Sequence, residues 1–177
     1  MAKPDFKKMM ETGAGLSGFE WPESCGTFDF VIKKDGTWFY QGTPVGRIKL
    51  CQLFAITLQK DDEGYWLVTP VERGKIEVED APFFVVEMDV EGTGDNQALT
   101  FRTTLDWWIT AGAENKIWVE FDENGQPSPY IYIRDGLHAR INRNVFYELC
   151  NMADVVVDEL IIQSNGVKFS LGKITDE

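Results

Sequence analysis

Asp35-Gly36-Thr37-Trp38-Phe39-Tyr40-Gln41-Gly42-Thr43-Pro44-Val45-Gly46-Arg47 opens the stretch that decides the fold. It runs through an amphipathic segment into Gly64-Tyr65-Trp66-Leu67-Val68-Thr69-Pro70-Val71-Glu72-Arg73 and closes on Ile76-Glu77-Val78-Glu79-Asp80-Ala81-Pro82-Phe83. Lys34-Asp35-Gly36 is a hairpin turn, with Gly supplying the positive φ such turns need. Before it, Phe28, Phe30 and Ile32 alternate with Asp29, Val31 and Lys33 at strand period. After it, Thr37 to Gln41 returns as the partner strand. Beyond Gly46 the period changes. Leu50, Leu53, Phe54 and Leu58 lie at helical spacing, which predicts a helix burying that face and stopping at Asp61-Asp62-Glu63-Gly64. Tyr65 to Thr69 and Lys75 to Glu79 follow as strands around a turn containing Pro70 and Gly74.

Working outward, Phe84, Val86, Met88 and Val90 face one way in a further strand, with Glu87 and Asp89 facing the other. The Gly-rich, polar run Glu91 to Asn96 marks a boundary. Ala98 to Thr103 and Ile117 to Phe121 are strands, Asn124-Gly125 is a hairpin signal, and Tyr130 to Arg134 is a strand ending at Asp135-Gly136. A helix is expected next, with Ile141, Val145, Leu149 and Met152 spaced by three or four. Val155 to Ile162 and Val167 to Leu171 flank the hairpin Ser164-Asn165-Gly166. Upstream, residues 4 to 12 predict a short helix, Gly13 to Gly18 a link, and patterning starts near Trp21-Pro22. The order strand, Gly loop, Arg, helix, hairpin occurs twice, with Leu53-Phe54 matching Val145-Phe146. The expected fold is α+β, as two similar halves, each a mainly antiparallel sheet covered by one helix. Residues 1–19 form an N-terminal extension, 20–95 the first half and 96–177 the second.

The chain has 177 residues, 44% of them apolar and 13% aromatic, enough for a real core. With 29 acidic and 17 basic residues the formal charge is -12, which repels duplex nucleic acid and anionic membranes on average but leaves room for a small anion at a local Arg cluster. Cys25, Cys51 and Cys150 form no Cys-x-x-Cys pair, so neither a zinc site nor a disulfide framework is expected. No signal-peptide h-region and no apolar run near the roughly 18 residues of a membrane helix is present. These features point to a cytoplasmic protein.

Gly13-Ala14-Gly15-Leu16-Ser17-Gly18 matches G-x-G-x-x-G but lacks the strand and helix that dinucleotide binding needs, and reads as a linker. Asp89, Glu91, Thr93 and Gly94 suggest a calcium loop, yet Thr100 stands where a bidentate Glu is required. His138, the sole histidine, sits at the mouth of the second helix with no G-x-S-x-G elbow to accompany it. Cys51 and Cys150 fall within helices as small core residues. Glu72, Glu77, Glu79 and Asp80 form a dense acid group, open either to a metal or carboxylate site or to a solvated sheet face beside Arg73 and Lys75. Arg47, Arg134 and Arg140 sit at strand-to-helix junctions, where helix-start N–H groups and a guanidinium fork suit an anionic or planar ligand and Tyr40, Tyr130 and Tyr132 offer stacking faces. Their alternative is internal ion pairing, for instance Arg134 with Glu72 or Asp80. Of Trp107-Trp108, adjacent in a strand, one is expected to be exposed.

The stretch from Asp35 to Phe83, with Cys25-Gly26 before it and Pro129-Tyr130, Arg134-Asp135-Gly136-Leu137 and Phe146-Tyr147 after it, resembles the bacterial domain-of-unknown-function family 1285. The resemblance covers roughly residues 20 to 172, and Trp107-Trp108 and Asn115-Lys116 depart from it. It implies a duplicated α+β core, a C-terminal half like a pleckstrin-homology fold, and a nucleotide-like ligand site between the halves with a role in signalling. It carries no catalytic residues. The expected function is therefore a ligand-binding or signalling module without catalysis, cofactor or resident metal, its site built from Arg47, Arg134, Arg140, Tyr40, Tyr130 and Glu72. The competing readings are a protein-interaction domain using Trp107-Trp108 and the hairpins, and a metal-dependent hydrolase using Glu72, Glu79 and Asp80.

Overall fold

The computed structural model describes residues 24–69 and 72–174. The first half contains β1 (Ser24–Ile32), β2 (Trp38–Tyr40), β3 (Thr43–Pro44), α1 (Ile48–Ile56), β4 (Leu58–Asp61), β5 (Gly64–Val68) and β6 (Arg73–Val78). The second contains β7 (Phe83–Glu91), β8 (Ala98–Thr103), β9 (Trp108–Thr110), β10 (Ile117–Phe121), β11 (Pro127–Arg134), β12 (Leu137–Ile141) and α2 (Arg143–Met152), followed by β13 (Asp154–Val156), β14 (Glu159–Ser164) and β15 (Val167–Lys173). The fold is α+β. Two six-stranded sheets run β3-β2-β1-β6-β5-β4 and β10-β11-β12-β7-β8-β9, and a three-stranded sheet runs β13-β14-β15. Neighbours pair antiparallel except at the middle of each large sheet, where β1 pairs with β6 and β12 with β7 in parallel.

One apolar core joins the halves. Phe30, Ile32, Trp38 and Leu58 of the first belong to the same buried cluster as Phe83, Phe101, Trp107, Ile131 and Leu149 of the second. Each such side chain contributes roughly 1.5–3 kcal/mol through burial. The third sheet is pinned by a satisfied polar group. Buried Ser164 accepts from the Leu99 amide at 2.9 Å and donates to the Ala111 carbonyl at 2.8 Å.

The structure departs from the expected pattern at identifiable places. Helix α1 ends at Ile56, and Asp61-Asp62-Glu63-Gly64 is the turn of the β4–β5 hairpin. It buries Cys51 and Ala55, whereas Leu50 and Leu53 are exposed. Phe54 covers Phe30 at a centroid distance of 4.8 Å. In β7, Phe83 and Val85 point inward rather than Phe84 and Val86, because a register shift between Val85 and Glu87 inverts the alternation before Met88. Asp135-Gly136 is a turn into β12 rather than a helix entry, so α2 starts only after Asn142, whose side chain caps it by accepting from the Val145 amide at 2.8 Å. The expected strand from Val155 to Ile162 is folded back at Val157-Asp158. The chain passes between the large sheets at Glu79–Pro82, ahead of the Glu91–Asn96 turn, which lies inside the β7–β8 hairpin. Trp107 is buried and Trp108 half-buried. The helix expected at residues 4 to 12, the glycines from Gly13 to Gly18, Trp21-Pro22, Pro70, Val71 and the side chain of Cys25 lie outside the described residues.

Candidate functional site

The outer face of the second large sheet is set by strand register. Trp118 pairs with Tyr130, Tyr130 with Arg140 and Tyr132 with His138, so these side chains share one face, opposite the buried Ile131, Ala139 and Ile141. That face turns toward the first half. Asp80, in the connector between the sheets, accepts from the Tyr130 hydroxyl at 2.8 Å and from Arg140 Nη1 at 3.2 Å, and Arg140 Nη1 also donates to the Tyr130 oxygen at 3.2 Å. The Arg140 guanidinium lies 5.2 Å from the Tyr130 ring centroid. Trp118 stacks on Tyr130 at 5.4 Å, and His138 meets Tyr130 edge-on at 5.1 Å.

Burial and the Lys60 charge hold His138 below its ordinary value, opposed by Asp80 and Glu120. Burial and the Asp80 hydrogen bond push the Tyr130 phenol up, and burial together with the Asp80 charge does the same to Tyr65. Lys60 lies 5.3 Å from the Tyr65 ring. The cluster therefore holds a guanidinium, an ammonium, a neutral imidazole and stacked rings, with two carboxylates beside them, Asp80 on Arg140 and Tyr130 and Glu120 accepting from Trp118 Nε1 at 3.0 Å. It can bind an anion or a planar group.

The six residues expected to form one site do not converge. Tyr130 and Arg140 meet here. Arg134 ends β11 and donates from Nη2 to the carbonyls of Ala55 (3.2 Å), Ile56 (3.4 Å) and Leu58 (3.2 Å), satisfying the end of α1, with Asp135 at 3.3 Å. Burial lowers its pKa from the ordinary arginine value. Of the three arginines only Arg47 stands at a helix start, as the N-cap of α1. Its neighbours Gly46 and Ile48 line a cleft with Thr104 and Leu105 of about 190 Å³, below the ~300–1,000 Å³ of a drug-sized ligand pocket. Tyr40 is exposed on the first sheet against Phe30, at 4.7 Å. Glu72 is exposed, its amide bound to the Thr69 hydroxyl at 3.1 Å. Glu79 pairs with Lys33 at 2.9 Å while Asp80 turns to Arg140, so the acid group splits, and no cluster of three potential metal ligands occurs among the described residues. No described helix is long and apolar enough to cross a membrane. Trp118, His138 and Asp80 were the partners the linear reading did not assign. The signal for His138 was present in the alternation of Leu137-His138-Ala139-Arg140-Ile141, which sets it on the face of Arg140.

A domain of unknown function, the DUF1285 N-terminal domain, matches residues 20–81, and the C-terminal domain of the same protein of unknown function matches residues 82–171. The junction of the two matches falls in the connector that carries Asp80. No curated protein matches. A DUF1285 family protein from Silicibacter pomeroyi DSS-3 is 38% identical, with 90% of this chain and 87% of that chain covered and a TM-score of 0.82. A DUF1285 family protein from Shewanella baltica OS155 is 27% identical, with 70% of this chain and 91% of that one covered and a TM-score of 0.55. With both domain matches in order along the chain and the same architecture in a relative of that identity, the protein belongs to the DUF1285 family.

Proposed function

We propose that the protein is a cytoplasmic, non-catalytic binding module for a small anionic, nucleotide-like ligand that docks on Arg140, Tyr130, Trp118 and His138. The observation that carries this reading is the position of Asp80. The carboxylate that neutralises Arg140 belongs to the connector between the halves, not to the sheet that holds the arginine. An incoming phosphate or carboxylate takes the place of Asp80 on the guanidinium, a base ring stacks beside Trp118, and the connector is released. Binding is thereby coupled to the relation between the halves, which is what a signalling module requires. The free thiols Cys51 and Cys150 suit a reducing compartment.

The test is calorimetry of the full chain against mononucleotides and cyclic dinucleotides, with Arg140→Ala and Asp80→Asn in parallel. Loss of one charge-assisted contact, roughly 1.5–3 kcal/mol, should weaken binding by Arg140→Ala at least tenfold. Asp80→Asn, which removes the competing carboxylate, should tighten it. No binding by either the natural protein or Asp80→Asn, or equal affinity in a folded Arg140→Ala, would sink the proposal.

A further inference from the structure

The third sheet presents an open edge. Among the described residues, strand β13 pairs with β14 alone and reads Asp154-Val155-Val156, followed by the turn Val157-Asp158. Val155, Val156 and Val157 are 63%, 50% and 91% exposed. Both turn residues have positive φ, 47° at Val157 and 65° at Asp158, the form that Asn165-Gly166 takes in the next hairpin at 49° and 73°. A two-residue turn of this kind closes on a hydrogen-bonded pair, here Val156 and Glu159, which leaves the N–H and C=O of Val155 directed away from β14.

The apolar surface continues inward from that edge. Val155 lies opposite Leu160, and Leu160 opposite Gly172, so their side-chain directions share a face. Phe121 of β10, 53% exposed, lies over Gly172. Along the chain, the strip Val155–Leu160–Phe121 is flanked by carboxylates, Asp154, Asp158 and Glu159 at one end and Asp122 and Glu123 at the other. Lys173 lies opposite Glu159, on the other face of the sheet from Val155 and Leu160. Sheet edges are commonly protected by lysine or proline; this one carries valines between acids.

We propose that this edge receives an extended segment of a partner protein, with apolar residues alternating with Lys or Arg, as a fourth strand beside β13. Main-chain bonds to Val155 give the attachment, the valines and Phe121 take the apolar side chains, and the acids at both ends select the basic ones. Charge decides against a second copy of the chain. Each copy carries -12, so two copies repel on average while a basic segment is attracted. The surface is distinct from the Arg140 cluster and does not rest on the ligand proposed there.

The experiment uses the full chain and three probes: a peptide alternating Val with Lys, the same peptide with Glu for Lys, and the Lys form with a central Pro. Anisotropy gives affinity, and amide exchange reads β13. The Val–Lys peptide is expected to bind, to protect the Val155 amide, and to weaken as salt rises. The double variant Val155→Ser with Val157→Asn keeps the charge, places a residue tolerant of positive φ at the turn, and should bind about tenfold more weakly, the effect of losing a good apolar anchor. Equal binding of the Glu peptide, no protection at Val155, or full affinity in the double variant would overturn the proposal. So would protection that grows with protein concentration alone as a dimer forms, since the occupant would then be a second copy.

Discussion

In the first half the helix interrupts the sheet: α1 lies between β3 and β4. In the second half all six strands come first, with a plain loop between β9 and β10, and α2 follows β12. The sheets nonetheless have the same plan. Each is two three-stranded meanders laid side by side, with the first and last strands parallel at the centre. The expected repeat of strand, Gly loop, Arg and helix therefore holds for the sheets and not for the helices, and Leu53-Phe54 and Val145-Phe146 occupy non-equivalent places. The difference teaches that the helix does not determine the strand order here. It covers apolar surface, and a cover can be attached at either of two gaps. The covers also differ in how their ends are satisfied. Helix α2 is capped by its own Asn142, whereas α1 has no side-chain N-cap bond and has the carbonyls of Ala55 and Ile56 at its end bound by Arg134 of the other half.

The sharpest way to break this comparison is Arg134→Met, which keeps the stem and removes the guanidinium. Two carbonyls at the end of α1 and that of Leu58 at the start of β4 lose their donor, and the expected loss is about 1–3 kcal/mol by urea unfolding, with exchange rising in α1 before α2. A loss below about 0.5 kcal/mol would mean that α1 stands without the second half. Asn142→Ala is the matched change in the second half. Removal of the cap should cost about 1 kcal/mol, with the exchange increase confined to α2. The smallest effect is in pH. His138, the sole histidine, lies in the second half, and its folded value is held below the ordinary one near 6.5 by burial and by Lys60. As pH falls the unfolded chain takes up that proton first. Stability fully present above about pH 6.5 is therefore lost as pH falls through the folded value. Melting curves from neutral to mildly acidic pH should show a downward slope that His138→Gln flattens; an unchanged slope in that variant would place the titration elsewhere.

Much of the sheet structure was legible in the sequence because period-2 alternation and Gly turns report a half-buried strand directly. Phe28, Phe30 and Ile32 and the Asn124-Gly125 hairpin are of this kind. The failures have local causes. The bulge after Val85 inverts the alternation without any change of composition, and Val157-Asp158 forms a turn that residue preferences assign to Asn-Gly. Strand β12 was absorbed into the expected helix because Ile141 continues into the apolar spacing of α2. The candidate site was legible only in part for the same reason. Arg140 and Tyr130 were identified by chemistry, but their meeting with Asp80, Trp118 and His138 depends on a register that includes β12.

The parallel pair at the centre of each large sheet has a consequence for synthesis. Strand β1 cannot acquire its partner β6 until the ribosome has delivered nearly the whole first half, and β7 waits in the same way for β12. Each meander can form early as a local hairpin stack, but the seam that joins the two closes last and over a long loop, a slow step by contact order. Until then the nascent chain carries two open central strands, Phe28–Ile32 and Phe83–Val85, among its most apolar segments. A pause in translation just before β6 or β12 would prolong that exposure, which makes those two points the vulnerable moments in the birth of this protein.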